Sequence, residues 1–136
     1  MPTQKNITHQ SQDSRHLRKL EEIIDISFKN DALLHEAMTH RSFLNEHPRW
    51  SLPQNERLEY LGDAVLELVV TDHLFRTYPD RQEGELTSLR AALVNHTMLS
   101  RIANELNLQE FIRLSRGEAK DTGRAREAIL ANAVEA

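Results

Sequence analysis

Between Asn55 and Tyr78 the chain carries one continuous helical pattern, ended by Pro79 because a proline disfavours helix in the residue before it. Leu58, Leu61, Val65 and Leu68 form an apolar stripe, and Leu66, Val69 and Val70 widen it beyond what a surface helix needs. The pattern predicts a central, largely buried helix. Glu56, Glu59, Asp63 and Glu67 lie at i, i+3, i+7 and i+11 of the same segment, which at about 100° per residue places them within a sector of roughly 80°. Any fold of this chain must therefore house a long helix that is apolar on one side and acidic on another.

The remaining segments are helical as well. Leu17, Leu20, Ile23 and Ile24 share one face, and Asn30 or Asp31 is placed to cap a short helix carrying Leu33, Leu34, Ala37 and Met38. After a turn at Pro79, Asp80 and Arg81 come a helix with Leu86, Leu89 and Leu93 and another with Leu99, Ile102, Ala103 and Leu106. A short apolar piece at Phe111, Ile112 and Leu114 follows, and Ile129, Leu130, Ala133 and Val134 begin a last amphipathic helix near Arg126. Residues 47–54, with two prolines, and the polar residues 116–126, with Gly117 and Gly123, read as loops. No β alternation competes, so the fold class is all-α. Residues 1–14 read as a loose polar tail and 15–136 as the domain. The final pattern stops at Ala136 after about three turns without a cap, as expected of a piece of a longer chain.

A length of 136 residues suits one domain with one core. Hydrophobic residues at 39% and charged residues at 28% argue against disorder, and no apolar run approaches the roughly 18 residues of a membrane span. With no cysteine, thiolate metal sites and a cysteine nucleophile are excluded, so any metal must be held by oxygen or imidazole. The absence of a secretory leader pattern points to the cytoplasm. A net charge of −4 gives the chain no strongly basic character that would announce a nucleic-acid partner.

Four like charges on one helix face call for a compensating cation, either basic side chains or a divalent ion with hard oxygen ligands. Spacing alone favours the first, since charged helix faces are usually just solvated. Gly62, beside Asp63, costs about 1 kcal/mol relative to alanine inside a helix, which signals tight helix packing or close approach of another group. Asn132 and Glu135 point away from the last apolar stripe and offer oxygens from a second helix, a pattern suited to Mg²⁺ with its mixed shell of carboxylates and waters.

The string from Asn55 to Glu67, NERLEYLGDAVLE, closely resembles the signature of ribonuclease III, the double-stranded-RNA endonuclease. Thr39-His40-Arg41-Ser42, Glu83-Gly84, Leu89-Arg90-Ala91, Gly117-Glu118 and Ile129 through Ala136 agree in order and spacing. The resemblance implies the all-helical ribonuclease III nuclease fold. It implies Asp63 and Glu135 as the catalytic carboxylates, and Glu59, Asn132 and Glu135 as ligands of Mg²⁺, with Mn²⁺ as the alternative. Glu56 and Glu83 match acidic positions lining the same cleft, with a role in substrate placement. Asn132 stands where the family often has aspartate, so its amide brings an oxygen but no charge. The implied activity is hydrolysis of double-stranded RNA by a homodimer, leaving 5′-phosphates and short 3′ overhangs, in rRNA, mRNA and tRNA processing and decay. A separate double-stranded-RNA-binding domain follows the nuclease domain in bacterial members. The apolar face of the long helix could serve such a dimer, although the monomer core is its simpler destination.

The second reading is a catalytically weak module that binds or positions structured RNA, and Asn132 is its support. Seven histidines fit no zinc motif, and His40 is expected to tie helices together. Trp50 reads as a hydrophobic plug. Arg113, Arg116, Lys120, Arg124 and Arg126 either contact phosphates or form a solvated loop, with equal weight on each.

Overall fold

The computed structural model describes residues 4–136, with side chains described from Asp13 onward. Helix α1 (Gln4–Ile24) is followed by α2 (Asp31–Ala37), α3 (Arg41–Glu46) and the long α4 (Glu56–Thr77). Then come α5 (Glu83–Leu93), α6 (His96–Glu105), a 3₁₀ turn at Leu108–Glu110, α7 (Arg116–Lys120) and α8 (Arg124–Glu135). The described residues contain no strand, and a single parallel bridge joins Thr39 to Arg113. The all-α class is as the patterns predict. The expected tail divides: residues 1–3 lie outside the described part, and residues 4–14 belong to α1.

Local chemistry explains the helix starts. Asn30 caps α2, its Oδ1 accepting the Ala32 N–H at 3.1 Å. Ser115 caps α7 by accepting the Glu118 N–H at 3.1 Å, so a one-turn helix forms within a segment that composition alone reads as loop. At the start of α4, Gln54 supplies the cap by accepting the Glu56 N–H at 2.6 Å. Asn55 is instead buried there. Its N–H donates to the Thr39 carbonyl at 2.9 Å and its side-chain amide to the Ala37 carbonyl at 3.1 Å, stapling α4 to the end of α2.

The core sits between α1, α2, α6 and α8. Leu17, Leu20, Leu34, Ala37, Met38, Ala103, Leu108, Phe111, Ile112, Ile129, Leu130 and Ala133 form one buried cluster. Helix α4 is largely outside it, contrary to its expected burial. Leu58 packs on the cluster and Leu74 is buried, but Leu61, Val65, Leu68, Val69 and Phe75 are 51–69% exposed. An apolar width that none of the described residues covers is a candidate contact surface.

Arg113 belongs to the scaffold, not to a phosphate-binding cluster. Its guanidinium lies over Trp50 at 4.8 Å, pairs with Asp13 at 3.5 Å and donates to His35 Nδ1 at 2.9 Å, joining α1, α2 and the loop before α4. Arg126 is likewise occupied, donating to the Ala119 carbonyl within α7 and to the Asp121 carbonyl just after it.

Where α4 crosses α8, a methyl group on Gly62 would overlap the backbone carbonyl of Glu135. Because the obstacle is main chain, relief requires the two helices to separate. Gly62→Ala should therefore lower the thermal midpoint by several degrees, overpacking of about 1–3 kcal/mol outweighing the roughly 1 kcal/mol gained in helix propensity. A midpoint that rises, as for alanine in an unobstructed helix, would contradict the crossing.

Candidate active site

The α4–α8 crossing opens into a cleft of about 720 Å³. Helix α4 contributes Glu56, Glu59, Tyr60 and Asp63, and α8 contributes Asn132 and Glu135. The periodicity of both helices makes this possible: Glu59 and Asp63 are one turn apart on α4, and Asn132 and Glu135 one turn apart on α8. The close approach at Gly62 then sets the two rows against each other. His40, Arg41, Asn55, His96 and Glu118 complete the walls.

Both modes of charge compensation occur along the acidic stripe. Glu67 pairs with Arg90 of α5 at 3.1 Å, and Glu56 with Arg41 at 3.6 Å. The side-chain carboxylates of Glu59, Asp63 and Glu135 have no ion pair or hydrogen bond among the described residues. Burial, then the charge of Glu56, raises the Glu59 pKa above the ordinary carboxyl value, with Asp63 adding to the rise and His96 opposing it. Burial, then Asp63 and Glu59, raises Glu135, again against His96. The Oδ1 of Asn132 is buried without a hydrogen-bond partner.

These observations test the fit to a divalent ion. An orphaned amide oxygen beside carboxylates held in mutual repulsion is a hard-oxygen donor set that a small cation would satisfy. No three His, Asp or Glu side chains among the described residues come close enough to hold an ion by themselves. The set thus depends on the Asn132 amide and on water, which Mg²⁺ retains readily.

Glu83 departs from the expected cleft. It lies beside Thr71, Leu74, Phe75 and Arg90, past the other end of α4, about 18 Å of helix rise from Glu59 to Thr71. Its reach within one chain is too short. His96, Tyr60 and Glu118 do line the cleft but were not assigned there from sequence, since nothing in the spacing relates the start of α6 to α4.

A family model described as ribonuclease-III-like matches residues 30–136. The chain belongs to the ribonuclease III family. It is 53% identical over 120 residues to ribonuclease 3 of Oceanobacillus iheyensis, covering 88% of this chain and 53% of that protein. It is 49% identical over 124 residues to ribonuclease 3 of Carboxydothermus hydrogenoformans, covering 91% and 53%. The chain thus spans about half the length of the curated relatives it matches. A crystal structure of the nuclease domain of ribonuclease III from Campylobacter jejuni superposes with a TM-score of 0.75 at 45% identity, covering 87% of this chain and 76% of that one. Another structure of that domain, described for flexibility in its dimer-forming region, gives a TM-score of 0.76 at 45% identity, covering 86% and 78%. The family match and the helical architecture agree with the resemblance carried by NERLEYLGDAVLE.

A carboxyl with a raised folded-state pKa contributes stability below its unfolded pKa and loses it as pH rises through the folded value. Above that value and without metal, ionised Glu135 is therefore a burden on this ribonuclease III fold. Glu135→Gln should raise the thermal midpoint in EDTA by a few degrees and shrink the further rise that Mg²⁺ produces in the unaltered chain. An unchanged midpoint in EDTA together with a full Mg²⁺ response would show that the residue is neither strained nor metal-facing.

Proposed function

We propose that this chain is the nuclease domain of a metal-dependent endoribonuclease that hydrolyses double-stranded RNA in the cytoplasm, serving the processing and decay of rRNA, mRNA and tRNA. The observation that carries the reading is the uncompensated row of Glu59, Asp63 and Glu135 facing the orphaned Asn132 oxygen across two helices. About 50% identity to proteins named ribonuclease 3 supports the same conclusion.

Glu59, Asn132 and Glu135 would hold the metal, Mg²⁺ with Mn²⁺ as the alternative. Bound there, the ion would supply charge stabilisation to the phosphoryl group and make water easier to ionise. Asp63 and Glu135 orient the attacking water. One of the two carboxylates takes its proton as the water oxygen bonds to phosphorus and the phosphorus to 3′-oxygen bond breaks, and the departing 3′-oxygen takes a proton from solvent. The products are a 5′-phosphate and a 3′-hydroxyl. Glu56, at the mouth of the cleft and tethered to Arg41, places the strand.

The uncovered face of α4 supports a homodimer. Tyr60 is 84% exposed beside Leu61, Val65, Leu68 and Val69, and a two-fold axis through such a patch buries it against itself. In such a pair, a role for Glu83 in strand placement requires that it reach the partner's cleft rather than its own. Two sites, one per strand, leave short 3′ overhangs.

Asp63→Asn and Glu135→Gln should each reduce cleavage of a long RNA duplex by at least about 100-fold, roughly the scale of losing a general base, while circular dichroism stays helical. Full activity in both variants would overturn the site, and duplex binding without cutting under Mg²⁺ or Mn²⁺ would favour the RNA-positioning reading supported by Asn132. Leu68→Glu should convert a particle of twice the chain mass in light scattering to the monomer; a variant that remains dimeric would remove α4 from the interface.

A further inference from the structure

Carboxylates dominate the cleft: Glu56, Glu59, Asp63, Glu118 and Glu135 all line it. A phosphate entering it is repelled by each, so the donors on its walls decide how a strand is held. Arg41 is drawn towards Glu56, and Asn55 donates its amide to the Ala37 carbonyl. His40 differs from both, because Ser42 engages its Nδ1 through both the backbone N–H and the hydroxyl.

His40 is the N-cap of α3, and its Nδ1 accepts the Ser42 N–H at 3.2 Å, so that nitrogen is bare. The Ser42 hydroxyl, 2.8 Å away, must then donate to the same Nδ1 while it accepts the Ser115 N–H at 2.9 Å. A neutral ring with a bare Nδ1 carries its proton on Nε2. Burial lowers the His40 pKa; Glu118 and Glu56 oppose the shift and Arg41 adds to it, so the ring is neutral at pH 7. Its Nε2 has no partner among the described residues and is not among the buried unpartnered atoms, so it is open to solvent. His40 is itself one of the residues that line the cleft.

We propose that His40 Nε2–H is a phosphate-binding donor, a neutral hydrogen bond oriented in advance by Ser42 and Ser115. This rests on the reading that the cleft takes double-stranded RNA. Neutrality suits the position. A full cation there would be drawn into pairs with Glu56 and Glu118, whereas an imidazole N–H binds a phosphate oxygen without competing for the carboxylates.

The test compares His40→Asn with the unaltered chain in binding an RNA duplex in EDTA across a range of salt concentrations. Asparagine keeps the N-cap acceptor for the Ser42 N–H but does not reach the place of Nε2. Binding should weaken about tenfold with its salt slope unchanged, since a neutral donor releases no counterion. Histidine ¹⁵N spectra of the unaltered chain should show a bare Nδ1 and a protonated Nε2 at His40, with the Nε2 signal moving on addition of the duplex. That spectrum decides the matter even if the variant folds poorly. Unchanged affinity in a folded His40→Asn protein, a reduced salt slope, a proton on Nδ1 or an unmoved Nε2 would each overturn the role. If the unaltered chain cuts the duplex in Mg²⁺ while His40→Asn binds as tightly, only the His40 assignment falls. If the unaltered chain neither binds nor cuts duplex RNA, the reading of the cleft falls and this role with it.

Discussion

Where α4 passes α8, the backbone of Gly62 lies so close to the Glu135 carbonyl that hydrogen is the largest side chain the crossing admits. The acidic cleft depends on that approach. Glu59 and Asp63 flank the glycine on one helix, and Asn132 and Glu135 stand on the last turn of the other, so the contact sets both rows of oxygens in one place. A bulkier residue at position 62 would separate the rows before it disturbed the main core, which lies elsewhere, between α1, α2, α6 and α8.

Convergence of this kind opposes stability. Glu59 and Glu135 are partly buried near other negative charges, and their raised pKa values show that the folded chain holds these groups less readily as anions than water does. The rest of the stripe is arranged differently, with Glu67 and Glu56 each given an arginine. Charge is thus left uncompensated where the two helices meet, as expected where a cation must be drawn in.

The helices were legible because their signals are local. Apolar spacing, the Asn30 cap and the Pro79 stop depend on near neighbours in the chain, and the acidic face of α4 follows from helical geometry alone. What the pattern does not distinguish is an apolar face buried in its own core from one reserved for a partner. Leu61, Val65 and Leu68 are equally hydrophobic in either case, which is why the expected burial of α4 was wrong. Non-local placements were also hidden. The distance of Glu83 from the cleft depends on the length of α4, and the presence of His96 beside Glu59 and Glu135 depends on how α6 packs against α8. The cost of Gly62 in a helix marks the position, but only the fold brings the Glu135 carbonyl against it.

The central claim is that oxygens from α4 and α8 share one cation, and paramagnetic relaxation by Mn²⁺ tests it most directly. Titrating Mn²⁺ into the ¹⁵N-labelled chain should broaden the amide signals of Gly62 and Asp63 at the same concentrations as those of Asn132 and Glu135. The Asp72 region of α4 should remain sharp. Broadening confined to one helix, or spread evenly along the acidic residues, would contradict a shared site.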